Sequence, residues 1–190
     1  MKMRSFFQAG VILVACLLQG CVPVVKEGAS DDARMEKERV NSEAYREDRK
    51  IETSAVDRIY EQFKILIHVN VTSFNHNVLI SGEVPDKSTR AAIEKTVSGI
   101  DGIRHLSNEL VISGNSSLAS RSNDSLIATN VKLRFARDKR VIAEHIKVVA
   151  ENATVFLMGN VKRVEADAAA EIASTTNKVV RVVKLFEYTD

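Results

Sequence analysis

A chain of 190 residues holds one medium domain or two small ones, and a hydrophobic content of 45% is that of a folded globular protein. The 27 Lys and Arg against 25 Asp and Glu leave a formal charge of +2, which excludes a generally polybasic protein, so attraction to an anionic partner has to come from a local patch. No Trp, seven Phe and three Tyr argue against stacking platforms for nucleic acid, and no nucleic-acid partner is expected.

At the N-terminus Lys2 and Arg4 form a positive region, followed by an apolar stretch from Phe6 to Leu18 that is too short for an ordinary spanning helix. It ends in LLQGC, residues 17–21, which resembles the lipobox of bacterial lipoproteins, where Leu and a small residue precede the Cys that is acylated and becomes the new first residue. Residues 1–20 are then a lipoprotein signal peptide and Cys21 the lipidation site; several acyl chains anchor stably where one would be reversible. Cys16 leaves with the signal peptide, so Cys21 is the one thiol of the mature chain and no intramolecular disulfide can form. Val22 stands where an Asp would favour retention in the inner membrane, which points to the outer membrane, facing the periplasm. Residues 21–47 are charge-mixed, with a faint apolar stripe of Met35, Val40 and Ala44, and read as a tether.

The remainder is a repeat. At a constant offset His68, Val71, Asn75, Val78, Gly82 and Val84 match His145, Val148, Asn152, Val155, Gly159 and Val161, and the register continues through Ala91, Ala92, Glu94 and Arg104 to Ala168, Ala169, Glu171 and Arg181. Each copy opens with an amphipathic helix, from Asp48 to about Phe63 or from Asp124 to about Phe135, whose Asp sits where it can cap free amides. Ile51, Ala55 and Ile59 in one copy, and Ile127, Val131 and Phe135 in the other, share a helical face.

Two short alternating strands follow, joined by Asn-containing turns. A second helix then opens at Pro85 and Asp86, or near Glu165, through STRAAIEKTV or EADAAAEIAS. The last strand is IRHLSNELVI or VVRVVKLFEY. The fold class is therefore α+β, two tandem αββαβ units at residues 48–112 and 123–190, each a small three-stranded mixed sheet with two helices on one face. Residues 113–122, rich in Ser and Asn, read as the linker.

The αββαβ order with VLISGEV and VFLMGNV at its centre, an Ala-rich helix and a Val-rich last strand resembles the BON domain of bacterial envelope proteins. The resemblance covers nearly all of the mature chain except the tether and is strongest from Ser122 onward, while the first opening helix matches loosely. A lipobox followed by two such units implies a periplasm-facing outer-membrane lipoprotein that binds anionic phospholipid, such as phosphatidylglycerol or cardiolipin, gathers at the division site and supports outer-membrane integrity. The alternative is a scaffold that engages outer-membrane assembly machinery or cell-wall enzymes without touching lipid.

The residues themselves argue against an enzyme and call for no cofactor or metal: no nucleophile with its base, no glycine-rich phosphate loop and no paired-Cys motif is present. His68 and His145 fall at one repeat position on a strand, which favours a shared structural role over ligation. Gly82 and Gly159 read as relief of backbone crowding.

The copies differ in charge. Arg49, Lys50, Arg58 and Lys64 balance Asp48, Glu52, Asp57 and Glu61, whereas Lys132, Arg134, Arg137, Lys139 and Arg140 face only Asp124 and Asp138. With Ile127, Val131 and Phe135 turned to the sheet, Leu126, Leu133 and Arg137 form a second stripe. The expected lipid-binding set is Leu126, Lys132, Leu133, Arg134, Arg137, Lys139 and Arg140.

Overall fold

The computed structural model describes residues 42–63 and 67–190; the signal peptide, Cys21 and nearly all of the tether lie outside them. The element order is α1 (Glu43–Phe63), β1 (His68–Phe74), β2 (Asn77–Val84), α2 (Lys87–Ser98), β3 (His105–Asn108), β4 (Val111–Ile112), α3 (Leu118–Phe135), a 3-10 turn (Ala143–His145), β5 (Ile146–Glu151), β6 (Thr154–Val161), α4 (Arg163–Ser174) and β7 (Arg181–Tyr188). In each unit an antiparallel hairpin is extended by a parallel last strand, giving the orders β1-β2-β3 and β5-β6-β7.

The last strand of the first unit is broken where that of the second is continuous. Asn108 turns the chain by accepting the Leu110 amide at 3.2 Å, Leu110 drops into the core, and β4 rejoins the ladder against β2. The first sheet thus counts four strands, β3 and β4 sharing one neighbour, where the repeat predicts three.

Both opening helices begin earlier than the sequence predicts. A Ser supplies the start in each: Ser42 Oγ accepts from the Tyr45 amide at 3.2 Å, and Ser117 Oγ from the Ser120 amide at 3.1 Å. So α1 reaches into the expected tether and α3 into the expected linker. Asp48 and Asp124 are consequently mid-helix and buried, and they cap something else.

Their carboxylates reach across to the hairpin tips, where Asn75 and His76, and Asn152 and Ala153, hold left-handed backbone of the kind a two-residue type I′ turn requires. Asp48 accepts the amides of Asn75 and His76 at 2.7 and 2.8 Å, and Asp124 those of Asn152 and Ala153 at 3.0 and 2.8 Å. Each unit is thereby tied helix to hairpin by the same ionic cap.

Gly82 and Gly159 sit where the hairpin strands run closest. A Cβ on Gly82 would fall 2.0 Å from the His68 carbonyl oxygen, and one on Gly159 would fall 2.3 Å from that of His145. Gly82 also carries a φ of +121°. His145 itself is in the 3-10 turn rather than on a strand, its side chain 46% exposed against 13% for His68, so the two histidines do not share one structural role.

Each unit packs two helices against one sheet face. Ile51, Ala55, Ile59, Val78, Ile80, Ile93 and Val97 form the first core, and Ile127, Val131, Phe135, Val155, Leu157, Ala169 and Ile172 the second. The other faces of the two sheets meet each other. Leu79 from β2 packs with Phe156 and Met158 from β6, flanked by Phe74, Val149, Val183 and Leu185.

All eight residues of β2 are buried as a result, because both its faces are covered. Polar contacts frame this contact: Lys147 to Glu52 at 3.0 Å, Asn70 to Glu151 at 2.8 Å, Arg104 to Glu187 and Arg181 to Glu109 at 3.2 Å. The layers run helices, sheet, sheet, helices, which puts α1 with α2 and α3 with α4 on opposite outer surfaces.

Candidate membrane-docking face

Three faces of α3 have three fates. Ile127, Val131 and Phe135 are at most 1% exposed against the sheet, as their spacing predicts. On the outer surface Leu126 is 61% and Leu133 50% exposed, and Arg137 follows them within about 40° of rotation, so the second stripe exists and is open. Leu118, 78% exposed, and Ile142, 44% exposed, are further apolar residues of this segment that the expected set omits. Leu118 was hidden by reading its stretch as linker, and Ile142 by its place beyond the helix.

The five cations divide. Arg134 turns inward to the end of α4, donating to the Ile172 carbonyl at 2.6 Å and to the Thr176 and Thr175 hydroxyls at 2.7 and 2.9 Å. Arg140 folds back on Asp138 at 2.9 Å and reaches Glu171 at 3.0 Å. Hydrogen bonds from Arg140 hold the partly exposed Asp138 carboxyl down at a pKa of about 2.

Neither Arg134 nor Arg140 is therefore a free charge, although Arg140 is exposed. Lys132, Arg137 and Lys139 are exposed and make no ion pair among the described residues. Arg137 lies beside Leu133 in an open groove of about 310 Å³ that runs from Asn130, Leu133 and Arg137 to Thr175 and Asn177.

The opening helix of the first unit differs in that acidic residues accompany its cations. On α1 Arg49 pairs with Glu52 at 2.7 Å and Arg58 donates to the Gly99 carbonyl at 3.0 Å, which engages two of its four basic residues and leaves Arg46 and Lys50 exposed. Among the described residues no helix is long and apolar enough to cross a membrane.

Comparison with known proteins agrees with this architecture. The BON domain matches at residues 48–114 and again at 123–190. The chain belongs to the BON domain family and carries two copies of the domain. It is 35% identical over 193 residues to Outer membrane lipoprotein DolP of Haemophilus influenzae, covering the whole of both chains, which supports an outer-membrane lipoprotein built on BON domains. It is also 30% identical over 127 residues to a 21 kDa hemolysin of Actinobacillus pleuropneumoniae, covering 67% of this chain and 66% of that one. Neither relative is named as an enzyme of metabolism or the cell wall.

Proposed function

We propose that this chain is an outer-membrane lipoprotein, anchored at Cys21 and facing the periplasm, whose second BON domain docks on anionic phospholipid through α3 and the basic loop after it. The observation that carries the reading is the exposure of Leu126 and Leu133 on one stripe with Arg137, in a segment that also carries the exposed, unpaired Lys132 and Lys139, on the outer surface of the molecule. Shallow insertion of two half-exposed Leu contributes about 1 kcal/mol each, and each of three cations about 1 kcal/mol near an anionic surface. Arg134 and Arg140 leave the docking set, since their donors are already engaged. The role in outer-membrane integrity and the enrichment at the division site rest on the family resemblance alone.

Flotation of the protein with phosphatidylglycerol vesicles tests the site. Binding is expected to fall as salt rises, and Leu126→Ala with Arg137→Glu to weaken it on the order of a hundredfold. Unchanged binding by the double variant removes this face. A stoichiometric protein crosslink without lipid binding would favour the scaffold reading, with assembly machinery or cell-wall enzymes as partners.

A further inference from the structure

Where the two units meet beside the linker, three donors converge from three strands. His68 opens β1, Glu83 lies directly across the hairpin from it on β2, and Glu151 ends β5 of the second unit. One ligand atom of each lies within 4.8 Å of the other two. Glu83 is 2% and Glu151 8% exposed, and His68 Nε2 is buried with no hydrogen-bond partner, 3.8 Å from Glu151 Oε1.

The surroundings orient these donors. Glu151 Oε2 accepts from Asn70 Nδ2 at 2.8 Å, and Glu83 Oε2 accepts from the Ser116 amide and hydroxyl at 3.3 and 3.1 Å. One oxygen of each carboxylate is thus pinned from behind, the arrangement that outer partners give to metal ligands. Two buried carboxylates so close together are relieved either by a shared proton or by a cation. Arg121, the nearby base, is engaged with Ser116 through both Nε and Nη2, while Asp124 adds further negative charge. Burial above all, and Arg121 after it, lower the His68 pKa. Burial above all, with Glu83 and Asp124, pushes the Glu151 carboxyl up against the opposing pull of Asn70 and Arg121.

We propose that His68, Glu83 and Glu151 form a binding site for a divalent transition-metal ion, zinc by the chemistry of one imidazole and two carboxylates, that bridges the two BON domains. Tetrahedral zinc with bonds of about 2.1 Å sets its ligands about 3.4 Å apart, so the donors close by roughly an ångström and the fourth position is left to water. Two ligands come from the first unit and one from the second, so bound zinc fixes the units against each other. The repeat does not duplicate the site: Asn160 holds the place in β6 that Glu83 holds in β2, and His145 sits in the 3-10 turn outside the strand ladder.

The test is zinc binding by the full mature lipoprotein in detergent, read as metal content after dialysis, as affinity by titration and as the thermal midpoint with zinc or with chelator. About one zinc per chain and a raised midpoint are expected. Glu83→Gln, which keeps an acceptor for Ser116, and His68→Asn are each expected to weaken binding a hundredfold or more, and Asn70→Ala on the order of tenfold. His145→Ala, on the exposed histidine of the other unit, is expected to leave the affinity unchanged. Failure of the parent to retain zinc overturns the proposal whatever the variants do. So does retention by Glu83→Gln and His68→Asn at parental affinity, or loss of binding in His145→Ala alone.

Discussion

Leu133 and Arg134 are neighbours in sequence with opposite duties. Leu133 is half exposed beside free cations, while Arg134 spends its guanidinium on the C-terminal turn of α4, satisfying the Ile172 carbonyl that the helix itself leaves open. Arg134→Ala is therefore expected to lower the stability of the second unit by about 2 kcal/mol in urea unfolding, the range for hydrogen bonds to a charged group. Leu133→Ala is expected to shift stability by no more than about 0.5 kcal/mol while reducing vesicle binding. Equal stability losses from the two would mean that Leu133 is packed and the docking face misplaced. The charge count along 131–140 made the segment visible in the sequence but could not separate these roles, because the partners of Arg134 lie some forty positions away, in the last turn of α4 and just past its end.

At the scale of the elements, the repeat made most of the fold legible: helix, hairpin, helix and strand recur in the expected order, and the apolar spacing of α1 and α3 names the buried residues. Helix starts were not legible, since Asp48 and Asp124 resemble caps in sequence and Ser42 and Ser117 do the capping. The aspartates act on hairpin tips that share no local sequence with them. The glycines were legible because both copies keep one at the same place. Gly82→Ala is expected to lower stability by about 3 kcal/mol, adding backbone strain at a φ of +121° to a collision with the His68 carbonyl. Thermal or urea melts of Gly82→Ala beside Gly114→Ala, where a Cβ meets nothing, make the comparison, and similar midpoints would contradict it.

The arrangement of the whole molecule was signalled but not read. A sheet with one wet face alternates, yet Val78, Leu79 and Ile80, and Val155, Phe156, Leu157 and Met158, are apolar without a break, which is the pattern of strands covered on both faces. Helices account for one face and the partner unit for the other. Phe156, 2% exposed in the contact between the sheets, tests whether that contact is firm. Phe156→Ala is expected to lower stability by about 3 kcal/mol, as a core Phe does; a change within about 0.5 kcal/mol would indicate units that are joined only by the chain.

The order of the layers also sets a leash length. With α3 against the bilayer, α1 occupies the farthest layer, and layers about 10 Å deep put its start some 30 to 40 Å above the lipid. The chain from Cys21 to Ser42 reaches at most about 70 Å when fully drawn out, so the proposed anchor at Cys21 and the proposed docking face can be engaged together with slack to spare. Cut to a third, the same leash would fall short of that height, and the anchored protein would have to choose between holding its acyl chains in the membrane and laying its second domain on the surface.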